Sequence, residues 1–129
     1  MNTKILMIAS SLVMGFLGIC FTFLPGEILG FFGVEPADLN TLFLQITGSL
    51  YFAFAMLNWM AKGNLIGGIY SKPVAIGNFT HFMVGGLLLS NSAFSSPENI
   101  EIWIAAIGYS ILAVLFGWVS FGNPLKAEK

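Results

Sequence analysis

Polar side chains interrupt otherwise apolar stretches of this sequence, and those in the later stretches are where chemistry would be sought. They are Gln45, Thr47, Ser49, Tyr51 and Asn58, then Asn78, Thr80 and His81, and finally Tyr109 and Ser110. A polar group in apolar surroundings is costly, so each marks either a functional candidate or a structural cross-link. Tyr51 and Asn58 lie seven residues apart and on a helix share a face with Gly48 and Ala55. Asn78 and His81 lie three apart and share a face with Gly77 and Gly85. If the first stretch ends near Ala61 and the next begins near Pro73, an antiparallel hairpin puts Asn58 level with position 76 and Tyr51 level with position 83. Each then stands about 3 Å along the axis from Asn78 and His81 respectively.

A neutral imidazole has one donor and one acceptor to satisfy, and Tyr51 is the expected partner of His81. Together with Gln45, the residues His81, Asn78, Tyr51 and Asn58 form the candidate binding cluster. Two readings of it stay open. Such groups cross-link membrane helices at roughly 0.6 kcal/mol each without any ligand, or they line a small polar pocket that holds one. No metal, haem or other cofactor is expected at His81, because the chain has no second histidine and its one cysteine is remote in sequence.

The elements that must position these residues follow from composition. Of 129 residues, 57 % are hydrophobic and 9 % charged, with a mean hydropathy of +0.86. Soluble domains carry about 25 % charge, and this chain could not cover a water-exposed surface. A soluble enzyme and a disordered tail are excluded on that ground. Nucleic acid is excluded as a partner because five lysines and no arginine make no basic patch. Four windows are apolar and long enough to cross a core of about 30 Å: Ile5–Leu24, Leu39–Ala61, Pro73–Ser90 and Ile100–Phe121. Pro25-Gly26 stops the first, Lys62-Gly63-Asn64 closes the second, and Pro73 opens the third. Ser95-Ser96-Pro97-Glu98 reads as a capping serine with proline and an acid in the first turn of the fourth. The expected fold is an all-α, integral membrane four-helix bundle, a single domain over residues 1–129.

Lys4, Lys62, Lys72, Lys126 and Lys129 fall at the N-terminus, the middle loop and the tail, whereas five of the six acids flank the first and third loops. Lysines stay on the cytoplasmic side, so both termini are expected inside. Trp59 and Trp118 then lie near inner ends and Trp103 near an outer end. No small-x-small pattern follows the first window, and it is expected to remain uncleaved. Between the first two windows, Ile28, Leu29, Phe31, Phe32 and Val34 are too few to span. They read as a short helix in the outer interface or as a turn packed over the helix ends.

Close approach between membrane helices needs small residues. Ser11, Gly15, Gly18 and Thr22 form one such stripe, and Ala106, Ser110, Ala113 and Gly117 another. The 13 phenylalanines spread through all four windows and read as packing and lipid contact. Signatures of catalysis are missing: no paired intramembrane acids, no nucleophile with its base, no phosphate loop. A channel would show midplane charge or a filter sequence, and a transporter a broken helix, for which only Gly77 and Gly85-Gly86 are candidates. Pro36-Ala37-Asp38 and Pro97-Glu98-Asn99 each open a window that ends in tryptophan, which hints at two parallel hairpins.

The layout resembles a known group. Leu24-Pro25-Gly26-Glu27 followed by Ile28-Leu29-Gly30-Phe31-Phe32-Gly33, then Gly48 with Asn58-Trp59, then Asn78-Phe79-Thr80-His81, is similar to the small bacterial four-helix membrane proteins loosely called DoxX-like, whose function is largely unassigned. The resemblance covers nearly the whole chain. It implies a four-helix fold in a bacterial inner membrane. Relatives in that group include a subunit of a quinone-linked oxidoreductase and chaperone-like membrane factors, but no catalytic motif of theirs maps onto this sequence. The expected function is a non-enzymatic accessory or binding module in the lipid bilayer, holding a small apolar or amphipathic molecule or a partner membrane protein's helix. The alternatives are a small homo-oligomeric transporter or channel, and a quinone-binding subunit of a redox system.

Overall fold

Helix limits in this chain are set by proline, glycine and turn chemistry, and the computed structural model, which describes residues 2–122, shows where each acts. The elements are α1 (Thr3–Phe23), α2 (Pro25–Phe31), α3 (Asp38–Ala61), a 3-10 turn (Ile69–Ser71), α4 (Lys72–Ser95) and α5 (Ile100–Phe121). The fold is all-helical, with no strand among the described residues. Four helices are long and apolar enough to cross a membrane, the third taken with its leading turn as Ile69–Ser95. This chain is therefore a multi-pass membrane protein. Its lysines Lys126 and Lys129 lie outside the described residues.

Three boundaries differ from the sequence reading or sharpen it. The segment after α1 does form a helix: Pro25 starts α2, which lies beside α3 with none of its residues buried. Gly33 ends it at φ 69°, a left-handed conformation that favours glycine. Second, α4 runs to Ser95, five residues past the expected end at Ser90. Ser90, Asn91 and Ser92 look like a terminus by composition, but a helical hydroxyl satisfies itself on the preceding turn, as Ser95 does by donating to the Asn91 carbonyl at 2.9 Å. Third, Ser95 and Ser96 do not cap α5. Ser96 to Asn99 form a turn closed by Asn99 N–H to Ser96 C=O at 3.2 Å, with Pro97 in its second position. Asn99 then occupies the cap without a side-chain hydrogen bond. The Phe94 and Trp103 rings meet edge to face at 5.1 Å across this turn.

The chain divides into two compact units, Ile5–Lys62 and a second that comprises Gly63 onward with the first few residues. In the first unit α1 and α3 pack along the small-residue stripe. The buried Ser11 hydroxyl donates to the Ala55 carbonyl at 2.7 Å. Two turns of α1 further on, the backbones come closest: a methyl on Gly18 would lie 2.8 Å from the Phe52 nitrogen and 3.0 Å from the Gly48 oxygen. Gly48 is equally confined, by Thr22. With lipid as apolar as leucine there is no hydrophobic drive for this pairing, and close packing of small residues supplies the attraction instead. At the end of α3 the Lys62 ammonium sits over the Trp59 ring, 2.9 Å from its centroid.

In the second unit α4 and α5 form an antiparallel hairpin built on aromatic rings. Phe82, fully buried, stacks on Phe116 at 5.7 Å and meets Tyr109 edge-on at 5.2 Å. Phe79 packs over Gly117, where a methyl would lie 3.0 Å from the ring, and edge-on against Phe121 at 5.2 Å. Gly85 leaves room for the Tyr109 ring, whose carbons would stand 2.8 Å from a methyl there. The second stripe thus faces a mixed surface rather than a matching row of small residues.

Candidate functional site

The candidate cluster is distributed over both units. In the first, Asn58 is fully buried and its amide donates to the Ser10 hydroxyl at 3.1 Å, which in turn donates to the Met7 carbonyl at 3.1 Å. Tyr51 is half-buried, with its ring edge-on to Phe21 at 5.4 Å. Gln45 is exposed and reaches across to the Thr22 carbonyl at 3.2 Å. It stands thirteen residues from Asn58 on α3, about 20 Å along the axis, so these two do not belong to one site. Ser10 was absent from the residues singled out by sequence, although it is the direct partner of Asn58.

In the second unit, Asn78 is fully buried and donates to the Val74 carbonyl one turn back at 2.9 Å. His81 places its Nε2 atom 3.4 Å from the Tyr109 hydroxyl, with the two rings 5.6 Å apart. Its ring also meets Phe82 at 5.1 Å. Tyr109 is thus a partner of His81 that the sequence reading recorded as polar but did not pair with it. With α4 ending at Ser95 and α5 starting at Ile100, position 109 is level with Gly86, and the long Tyr109 side chain reaches back to His81. Among the described residues no three of His, Cys, Asp and Glu form a metal-binding group.

A concave feature in the span of this unit lies beside the cluster rather than in it. A groove of about 220 Å³ runs between α4 and α5, walled by Phe79, Phe82, Leu87, Ala113 and Val114, with Ser90 and Ser110 as its polar side chains. Its mouth opens outward, since Leu87 and Val114 are 60 % and 69 % exposed. The hydroxyls of Thr47, Ser49 and Ser95 bond to carbonyls of the preceding turn, the ordinary solution in a membrane helix. Ser90 and Ser110 make no such bond to any described residue. A second, shallower depression on α5 shares Ser110 and Val114 with the groove, so the concave surface continues past Ser110. Sequence reading recorded Ser110 both as an intramembrane polar residue and in a packing stripe but missed the groove, which depends on how two helices splay. One further hydroxyl, that of buried Ser120, also has no partner among the described residues.

Compared with protein-family models, with curated proteins and with solved structures, the chain matches none.

Proposed function

We propose that this chain is a non-enzymatic binding module of a bacterial inner membrane, and that its α4–α5 groove holds a small amphipathic molecule. The observation that carries the reading is the pair of unbonded hydroxyls, Ser90 and Ser110, set in an otherwise apolar groove open to lipid. An apolar tail fits the walls, and a carbonyl or hydroxyl on the same molecule gives the serines the partner that the protein withholds. The candidate cluster of His81, Asn78, Tyr51, Asn58 and Gln45 then serves as structural cross-linking.

The test is lipid extraction and native mass spectrometry of the purified full chain. Val114→Trp fills the groove from its mouth, away from the helix seam, and should strip the co-purifying molecule while leaving the melting temperature unchanged. Ser90→Ala and Ser110→Ala should each weaken retention roughly threefold, the equivalent of about 0.6 kcal/mol per membrane hydrogen bond. The same bound molecules in Val114→Trp and in the wild type would sink the reading. Solute flux through proteoliposomes that Val114→Trp leaves intact would instead favour the homo-oligomeric transporter.

The lysine distribution supports an orientation with both termini cytoplasmic. Cysteines introduced at Glu35 and Ser95 should react with an impermeant thiol reagent added outside, and one at Lys62 should not. Labelling of the Lys62 position from outside reverses the orientation.

A further inference from the structure

The segment joining α3 to α4 carries a feature that the groove does not explain. A concavity of about 460 Å³ lies at the start of α4, lined by Gly63, Asn64, Leu65, Gly68 and the 3-10 turn Ile69–Ser71. Gly67, at φ 104°, turns the chain around it in a conformation that only glycine adopts readily. Ser71 precedes α4 at its cap position and is 7 % exposed, yet its hydroxyl neither caps the helix nor bonds to any described residue. Ser71 lines the concavity. The first turn of α4 holds no acid, and Pro73 has no N–H to offer. With no acid there, the positive end of the helix dipole stands uncompensated beside Ser71. Lys72 adds a full charge, and residues 62–72 contain no carboxylate.

We propose that this concavity binds the phosphate of an anionic lipid headgroup. The positive helix end, the Ser71 hydroxyl and Lys72 supply the recognition. The rim identifies a lipid as the source of the phosphate. Ile69 and Tyr70 are 88 % and 100 % exposed, and Leu65 is exposed beside them. These side chains continue the lipid-facing surface of the span Ile69–Ser95, whose 27 residues reach about 40 Å and so extend past a core of about 30 Å into the headgroup layer. Tyr70 stands where aromatic residues concentrate at membrane interfaces. An acyl chain thus runs down along α4 while its phosphate meets the helix start. The site is independent of the α4–α5 groove.

The experiment titrates the full chain in detergent with phosphatidylglycerol and, separately, with phosphatidylcholine, and counts retained lipid by native mass spectrometry. Lys72 is exposed, so Lys72→Gln tests charge without disturbing the fold, and Ser71→Ala removes only the hydroxyl. The wild type should retain phosphatidylglycerol over phosphatidylcholine about fivefold, the effect of one lysine near an anionic surface. Lys72→Gln should abolish that preference, Ser71→Ala should weaken retention of both lipids, and both effects should persist in a Val114→Trp background. Equal retention of phosphatidylglycerol by wild type and by the Ser71→Ala/Lys72→Gln double variant overturns the proposal. Displacement of the lipid by millimolar inorganic phosphate also overturns it, because the site would then take a soluble anion.

Discussion

Gly18→Ala is expected to lower the unfolding free energy of this protein by about 1–3 kcal/mol, the usual range for overpacking a close contact, while Gly15→Ala changes it little. Both glycines lie on one face of α1, and a sequence reading cannot rank them. The structure does. A methyl at Gly15 would meet only the Ala55 methyl, at 3.5 Å, an ordinary contact. At Gly18 it would press on backbone atoms of Phe52 and Gly48 at 2.8–3.1 Å. A side chain gives way by rotating, but backbone yields only if the helices separate, and separation weakens the neighbouring contacts such as the Ser11–Ala55 hydrogen bond. Alanine also gains up to about 1 kcal/mol of helix propensity over glycine, which offsets part of the clash at Gly18 and leaves Gly15→Ala neutral or slightly favourable. A bulkier Gly15→Leu still costs stability, because its branches extend past Ala55. Reversible unfolding in mixed detergent micelles measures the difference. Equal effects at the two glycines would mean that α1 and α3 do not cross at Gly18.

That ranking shows where sequence was informative and where it stopped. The stripe Ser11, Gly15, Gly18 and Thr22 was legible because lipid removes the hydrophobic effect as a competing signal, so small residues at helical spacing point to a seam, although in the second stripe Ser110 lines an open groove. The depth of closest approach depends on the crossing angle, to which α2 and the chain before α3 contribute. Helix ends were legible at Pro25 and Pro73, where the ring dictates conformation. They were misread at Ser90–Ser95, where hydroxyls are equally at home in a last turn and in a loop. In the site, Asn58, His81 and Tyr109 stood out as costly polar groups, but the pairing of Tyr109 with His81 and the partner of Asn58, Ser10, did not. Serine and tyrosine are common in membrane helices, and only the register of each hairpin brings them to the right depth. The groove was invisible for a related reason: it is space left between rings, and no residue type encodes it.

Phe82→Ala is the other change with a large expected effect, and its size tests what holds the α4–α5 hairpin together. Phe82 is fully buried among Phe116, Tyr109 and His81. In a water-soluble core, phenylalanine to alanine costs about 3–5 kcal/mol, which combines transfer of the ring out of water with the cavity it leaves. In a bilayer the unfolded hairpin keeps its rings in lipid, so the transfer part falls away. A ring-sized cavity on the order of 100 Å³, at about 24 cal/mol per Å³, leaves about 2 kcal/mol. The expected loss is therefore about half of the soluble value, read from the same micellar unfolding curves. Because Phe82 also walls the groove, the vacated space joins it and extends it toward Tyr109. A small apolar molecule such as benzene should then bind the variant more tightly than the wild type and recover part of the loss. A loss near 4 kcal/mol would show that unfolding carries α4 into water, so that area burial and not packing sustains the hairpin. No measurable loss would mean that the aromatic contacts of Phe82 do not hold the two helices at all.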